Sequence, residues 1–252
     1  MKEELSATYK LESVPQKYRT GRFPLWLLGS AMAAFAAGYI IIPGIAALIL
    51  TPESSLRGIM AAAGPILSLI TVGVLARYYA GSFRKGMLYL GFRRFPCWVL
   101  LWGIFMAGAI MLCGGGVTLV WGFIAAQLNI DLGTPPTVAA AFSENIWDVI
   151  ALMTTALFAA PVFEEIFFRR VIYCSLLKFL PPVSSIGLAS LAFSALHLSP
   201  LQLPGLLLVG WIWQNFYIRS KNLWTSVILH FFNNLIAAGM LLLFRFTEFT
   251  EI

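Results

Sequence analysis

Glu164, Glu165, His197, His230 and Asn234 are the residues whose types and spacing could do chemistry in this chain. Of eleven acidic residues, Glu164 and Glu165 alone are embedded in an apolar stretch, and both histidines of the chain lie within or at the end of such stretches. An ionisable group inside a membrane costs roughly 2.5 to 3.5 kcal/mol on insertion scales, so each is a functional candidate by position. Spacing adds geometry. Glu165 and Arg169 are four apart, share a helical face and are expected to form a structural pair, while Glu164, turned about 100° away, is left to face the bundle interior. His230 and Asn234 are also four apart, which stacks an imidazole and a carboxamide on one face. Both can donate, so together they could hold an oxyanion. The alternative for Asn234 is a bond across to another helix, the task expected of Asn233, which faces elsewhere.

These groups need a scaffold that brings them to one depth. Hydrophobic residues make up 60% of the 252 positions and charged residues 11%, against about 25% charged in a soluble domain. Apolar runs at about 24–50, 58–76, 96–126, 147–180, 183–199, 201–218 and 223–244 predict an all-α, polytopic transmembrane helix bundle of about seven to eight spans. The run 147–180 exceeds one straight crossing of a core about 30 Å thick, and Pro161 is expected to kink it. Pro181 and Pro182 end that helix in a tight hairpin. Glu164 lies 17 residues before Pro181 and His197 lies 16 after it, which places both at the same depth in two antiparallel helices.

The formal charge of +6 is spread over short connections, which speaks for membrane orientation and against a nucleic-acid partner. With the amino terminus in the cytosol, only Arg57 and Arg245 fall on the far side, together with the connection 127–146, which carries Asp131 and Glu144 but no Lys or Arg. The polar tail 1–22 lacks the pattern of a secretory signal and is expected to stay cytosolic. Cys97, Cys113 and Cys174 are far apart and have neither disulfide nor zinc-knuckle spacing. Gly114, Gly115 and Gly116, inside a span, are expected to allow close helix approach. Arg170 and Lys178 are expected to snorkel to the cytosolic surface, and Trp211, Trp213 and Tyr217 to pack or to mark the interface.

The segment Glu164, Glu165, Ile166, Phe167, Phe168, Arg169 resembles the EExxxR motif of the CAAX-processing and bacteriocin-processing (CPBP, or Abi) intramembrane peptidases. Phe193 to His197 resembles their FxxxH motif and His230 to Asn234 their HxxxN motif, all in the family's order. The resemblance covers about 147–240. Arg170 departs from it, since many members have a small residue there. The resemblance divides the chain into a cytosolic tail (1–22), generic membrane spans (23–146), a catalytic membrane core (147–244) and a short tail (245–252). It implies cleavage of a peptide bond in a membrane-associated protein or peptide, as in CAAX-type, bacteriocin or sorting-signal processing, in a bacterial or archaeal cytoplasmic membrane. Glu164 would be the base that activates water, with His197 positioning that water. His230 and Asn234 would be the oxyanion donors, and Glu165 with Arg169 would fix the helix that presents Glu164.

No cofactor is favoured. Zinc is the alternative, with Glu164, His197 and His230 as ligands and water in the fourth position, although the spacing is not the HExxH arrangement on one helix. Two other functions use the same residues: a transporter or proton-coupled carrier, in which Glu164 relays protons, and a noncatalytic membrane scaffold or immunity protein. The expected partners are the lipid bilayer and the membrane-associated substrate.

Overall fold

The structure, a computed structural model, describes residues 25–51 and 54–250. The tail 1–22, with Lys2, Lys10, Lys17, Arg19 and Arg22, lies outside the described residues, as do Glu53, Glu251 and the side chains of Arg57 and Glu248. Among the described residues every regular element is helical. Helix α1 (Leu25–Phe35) runs through a π-helical turn, Ala36–Ile41, into α2 (Ile42–Ile49). There follow α3 (Ser55–Ala80), α4 (Phe83–Tyr89), α5 (Cys97–Gln127) and the short α6 (Pro136–Ala141). The next helical line is broken twice. It comprises α7 (Ile146–Thr154), a π-helical turn Thr155–Ala159, α8 (Ala160–Glu165), a second such turn Ile166–Ile172, and α9 (Tyr173–Leu176). Helices α10 (Pro182–Ala195), α11 (Leu203–Ser220) and α12 (Leu223–Thr250) complete the bundle.

Five of these lines are long and apolar enough to cross a bilayer: Gly29–Ala46, Gly58–Tyr78, Cys97–Gln127, Ile146–Leu176 and Leu223–Thr247. The chain is an integral membrane protein with a polytopic helical bundle. The expected span at 201–218 exists as a helix of equal length, α11 with 18 residues, and that at 183–199 as a shorter one. Helix α10 has 14 residues, about 21 Å at about 1.5 Å per residue, against a hydrocarbon layer of about 30 Å. Its limits are written locally. Proline at Pro181 and Pro182 forbids an earlier start, and the chain turns left-handed at Leu198, φ 51°, two residues before Pro200.

The connections sort into two groups. On one side Asn145 Nδ2 donates to Ser54 O at 3.2 Å, and Arg245 Nη1 donates to Ala141 O and Ser143 O at 2.7 and 2.8 Å. The turn before α3, the connection 127–146 and the far end of α12 therefore lie together. On the other side Asn222 accepts from Arg93 N and donates to Arg94 O, and Leu223 N donates to Gly91 O. This is the arrangement of helix ends that the distribution of Lys and Arg demands. Helix α12 continues to Thr250, past residue 244 where the apolar run stops.

Glycine sets the crossing of α5 on α11. A Cβ at Gly205 would collide with Thr118 and the Gly114 carbonyl. Of the three glycines read as one packing device, Gly114 alone serves; Gly115 and Gly116 face open space. Cys97 and Cys113 are exposed and Cys174 is buried, and none of the three forms a disulfide among the described residues.

Candidate active site

The two glutamates end α8, a six-residue segment between two wide turns. The first turn closes with Ala160 N–H on Thr155 O, five residues back, and the second with Tyr173 N–H on Phe168 O, also five back. Pro161 follows the first turn directly. Its ring would clash with a carbonyl one α-turn earlier, and widening the turn relieves that clash. The kink expected at Pro161 thus takes the form of a π-helical turn on its amino-terminal side.

Glu165 and Arg169 are brought together, Oε2 to Nε at 3.0 Å. The other carboxylate oxygen of Glu165 lies 3.0 Å from His230 Nδ1. A carboxylate only accepts, so Nδ1 carries the proton. His230 Nε2 then points to Glu164, at 3.9 Å from Oε2. One imidazole therefore reaches both glutamates. Neighbours in a helix diverge, but the ring nitrogens lie on different edges, and His230 from α12 fits between the two side chains. Their exposures differ. The Glu165 side chain is 0% exposed, and that of Glu164 is 12%. Glu164 Oε2 is itself buried and accepts no hydrogen bond.

An aromatic frame surrounds this group. The Arg169 guanidinium lies 4.7 Å from the Phe193 ring centroid and 5.6 Å from that of Trp213, within the range of cation–π attraction. Trp213 also packs on His230 at 4.4 Å, tilted 31°. Sequence reasoning missed Trp213 as part of the site: it reads as one aromatic among eight tryptophans, and only its burial and its contact with His230 mark it. Gly210, one turn earlier on α11, makes room for Phe193, whose ring a Cβ there would meet at 3.0 Å.

His197 comes to the same frame from the other side. It lies just past the end of α10, half-buried, with its ring 4.7 Å from that of Phe193, which is in turn 6.0 Å from His230. Its Nδ1 lies 2.8 Å from Phe193 O, an acceptor, so Nδ1 is the donor and a neutral ring keeps Nε2 as a free acceptor. Among the described residues His197 makes no ion pair with Glu164. Asn234 lies one turn beyond His230, and its Nδ2 donates to Ala156 O at 2.8 Å. This is the bond across helices given above as the alternative for Asn234, while Asn233 Oδ1 is buried without a hydrogen bond.

Arg170 corrects another expectation. It does not snorkel: it is 4% exposed, Nε donates to Tyr89 O at 2.8 Å, and the guanidinium lies 5.7 Å from the Tyr89 ring. Tyr89 is the last residue of α4, where carbonyls lack partners within the helix and the dipole favours a cation. The departure from the family pattern at this position is thus a clamp between α4 and the second wide turn.

The three candidate zinc ligands are not gathered into one group. His230 Nδ1 is on Glu165, Nε2 is 3.9 Å from Glu164, and His197 lies beyond Phe193. Among the described residues no three of His, Cys, Asp and Glu form a ligand group.

Residues 145–236 match the model of a family described as Type II CAAX prenyl endopeptidase Rce1-like. This stretch, a little over a third of the chain, is similar to that family. The Rce1-like stretch opens at Asn145, whose side chain caps α7 by accepting from Trp147 N at 3.0 Å, and closes just after Asn234. It contains all six candidate residues, whereas α1 to α5 lie outside it. No curated protein and no solved structure matches the chain.

Proposed function

We propose that the chain is an intramembrane endopeptidase that hydrolyses a peptide bond in a membrane-associated protein or peptide of CAAX, bacteriocin or sorting-signal type, with water activated by Glu164. One observation carries the reading. Glu164 keeps a carboxylate oxygen buried and free of hydrogen bonds beside an imidazole, while its neighbour Glu165 is ion-paired with Arg169 through Oε2 and bonded to His230 through Oε1, each at 3.0 Å. Buried acceptors are nearly always satisfied, so an open one beside a histidine is suited to receive a proton.

In this mechanism Glu164 takes a proton from water as the oxygen attacks the scissile carbonyl carbon. The oxyanion that forms accepts from His230 Nε2–H. Since Nδ1–H faces Glu165, donation from Nε2 requires the ring to carry both protons, and in that form it stands between two carboxylates. The carbon–nitrogen bond then breaks and the leaving amine takes the proton from Glu164. His197, with Nε2 open, accepts from the attacking water and orients it. Loss of one oxyanion donor typically costs about 2.7 to 4 kcal/mol of transition-state stabilisation. No step uses a metal.

Lys and Arg gather on the side holding the Pro181 turn, so the positive-inside rule places that side, and the amino terminus, in the cytosol. The test is cleavage of prenylated CAAX-type and leader-type peptides by the purified protein in lipid. Cleavage that stops in Glu164→Gln supports the reading; unchanged cleavage in that variant overturns the assignment of the base.

A further inference from the structure

Helix α12 grips the glutamate-bearing line at two levels. At the first, His230 reaches Glu165 and faces Glu164. At the second, one turn along the same face, Asn234 Nδ2 donates to Ala156 O at 2.8 Å. A carbonyl only accepts, so the amide nitrogen must be the atom that faces it.

Ala156 is the second residue of the wide turn Thr155–Ala159. That turn closes with Ala160 N–H on Thr155 O. In the same register the next donor, aimed at Ala156 O, would be the N–H of residue 161. Residue 161 is proline and has none. The helix therefore cannot satisfy this carbonyl itself, and inside a membrane an unsatisfied carbonyl is costly. Pro161, three residues before the first motif, creates a vacancy, and the asparagine of the third motif fills it.

We propose that Asn234 is a positioning residue that acts through the Ala156 carbonyl: it fixes the wide turn from which α8 starts, and with it the place of Glu164, without contacting substrate. This assigns Asn234 a different task from the oxyanion donation that its stacking under His230 first suggests. It rests on the peptidase reading only for its kinetic readout.

Pro161→Ala separates the two tasks. An alanine at 161 returns an N–H to the helix. In the wide register that N–H meets Ala156 O, and in the α register Ala160 N–H does, so the carbonyl gains an internal partner either way. Thermal unfolding and peptide cleavage are measured for the parent, Asn234→Ala, Pro161→Ala and the double variant. Asn234→Ala alone is expected to lower Tm by several degrees and kcat by about tenfold or more, with KM within about twofold. The double variant is expected to match Pro161→Ala in Tm and to come within about threefold of it in kcat. A double variant as slow as Asn234→Ala would show that the carboxamide acts on the substrate, and the proposal falls. If Asn234→Ala does not fold, the double variant against Pro161→Ala decides: equal Tm supports the proposal, and a double variant that also fails to fold overturns it. If the parent and Pro161→Ala cleave no peptide, the peptidase reading fails. The four Tm values still decide this one, strong non-additivity supporting the contact and simple additivity rejecting it.

Discussion

Glu165 with Arg169, His230 and Trp213 forms a closed floor, and Glu164 with His197 forms a rim above it. On the floor each charge faces an opposite or aromatic partner, and the Glu165 and Arg169 side chains are 0% and 1% exposed. On the rim each residue keeps a polar edge without a hydrogen bond from the protein: Oε2 of Glu164, 3.9 Å from His230 Nε2, and on a neutral His197 the Nε2 opposite its bond to Phe193 O. The same residue type, at adjacent positions, thus serves two ends. On the proposed mechanism, the contrast teaches that close ion pairing, more than residue type, separates a group that holds the site from one that reacts in it. Floor substitutions should change stability first, and rim substitutions turnover first.

The sharpest way to break this division is Glu164→Gln, expected to lower kcat by about 10²- to 10⁴-fold while Tm in detergent moves by no more than about 2 °C. A large fall in Tm would make Glu164 part of the floor. Next in size is Glu165→Ala, which leaves the Arg169 cation buried without its carboxylate and should destabilise the fold by about 3–5 kcal/mol. Denaturant titration would read this. The paired variant Glu165→Gln with Arg169→Met should lose clearly less, because no uncompensated charge remains; equal loss in both would contradict the ion-pair account. Arg170→Met removes the donor on Tyr89 O and should cost about 1–3 kcal/mol, with cleavage by the folded fraction unchanged. If turnover collapses in Arg170→Met at temperatures where it remains folded, this arginine belongs to the rim. The smallest expected effect is that of chelation. Dialysis against a strong chelator, verified by elemental analysis, should leave cleavage unaltered, and activity recovered only by zinc would reinstate the metal reading.

The polar constellation was legible in the sequence because charge in an apolar helix is rare and therefore conspicuous. The i, i+4 rule placed Glu165 on Arg169, and the proline pair placed the hairpin. What spacing could not show was how the helix deviates from ideal periodicity. With 3.6 residues per turn, Glu164 and Glu165 diverge, and nothing in the letters indicates that one imidazole from α12 would reach both. Arg170 reads as a surface anchor because hydropathy counts its charge, not the carbonyls at the end of α4 that accept it. Trp213 is invisible for a similar reason: apolar surroundings hide an aromatic that shapes the site. The run at 183–199 overran its helix, since hydropathy windows measure apolar extent and do not see where a left-handed residue stops a helix.

The brevity of α10 bears on the surrounding lipid. It lies beside α11 and opposite lines of up to 31 residues, and it fills only about two thirds of a hydrocarbon layer about 30 Å deep. Acyl chains over its end must tilt or yield to solvent, a hydrophobic mismatch that thins the bilayer locally. His197 sits just past that end, so on the proposed function a scissile bond near the surface would not need to descend to the midplane to meet it.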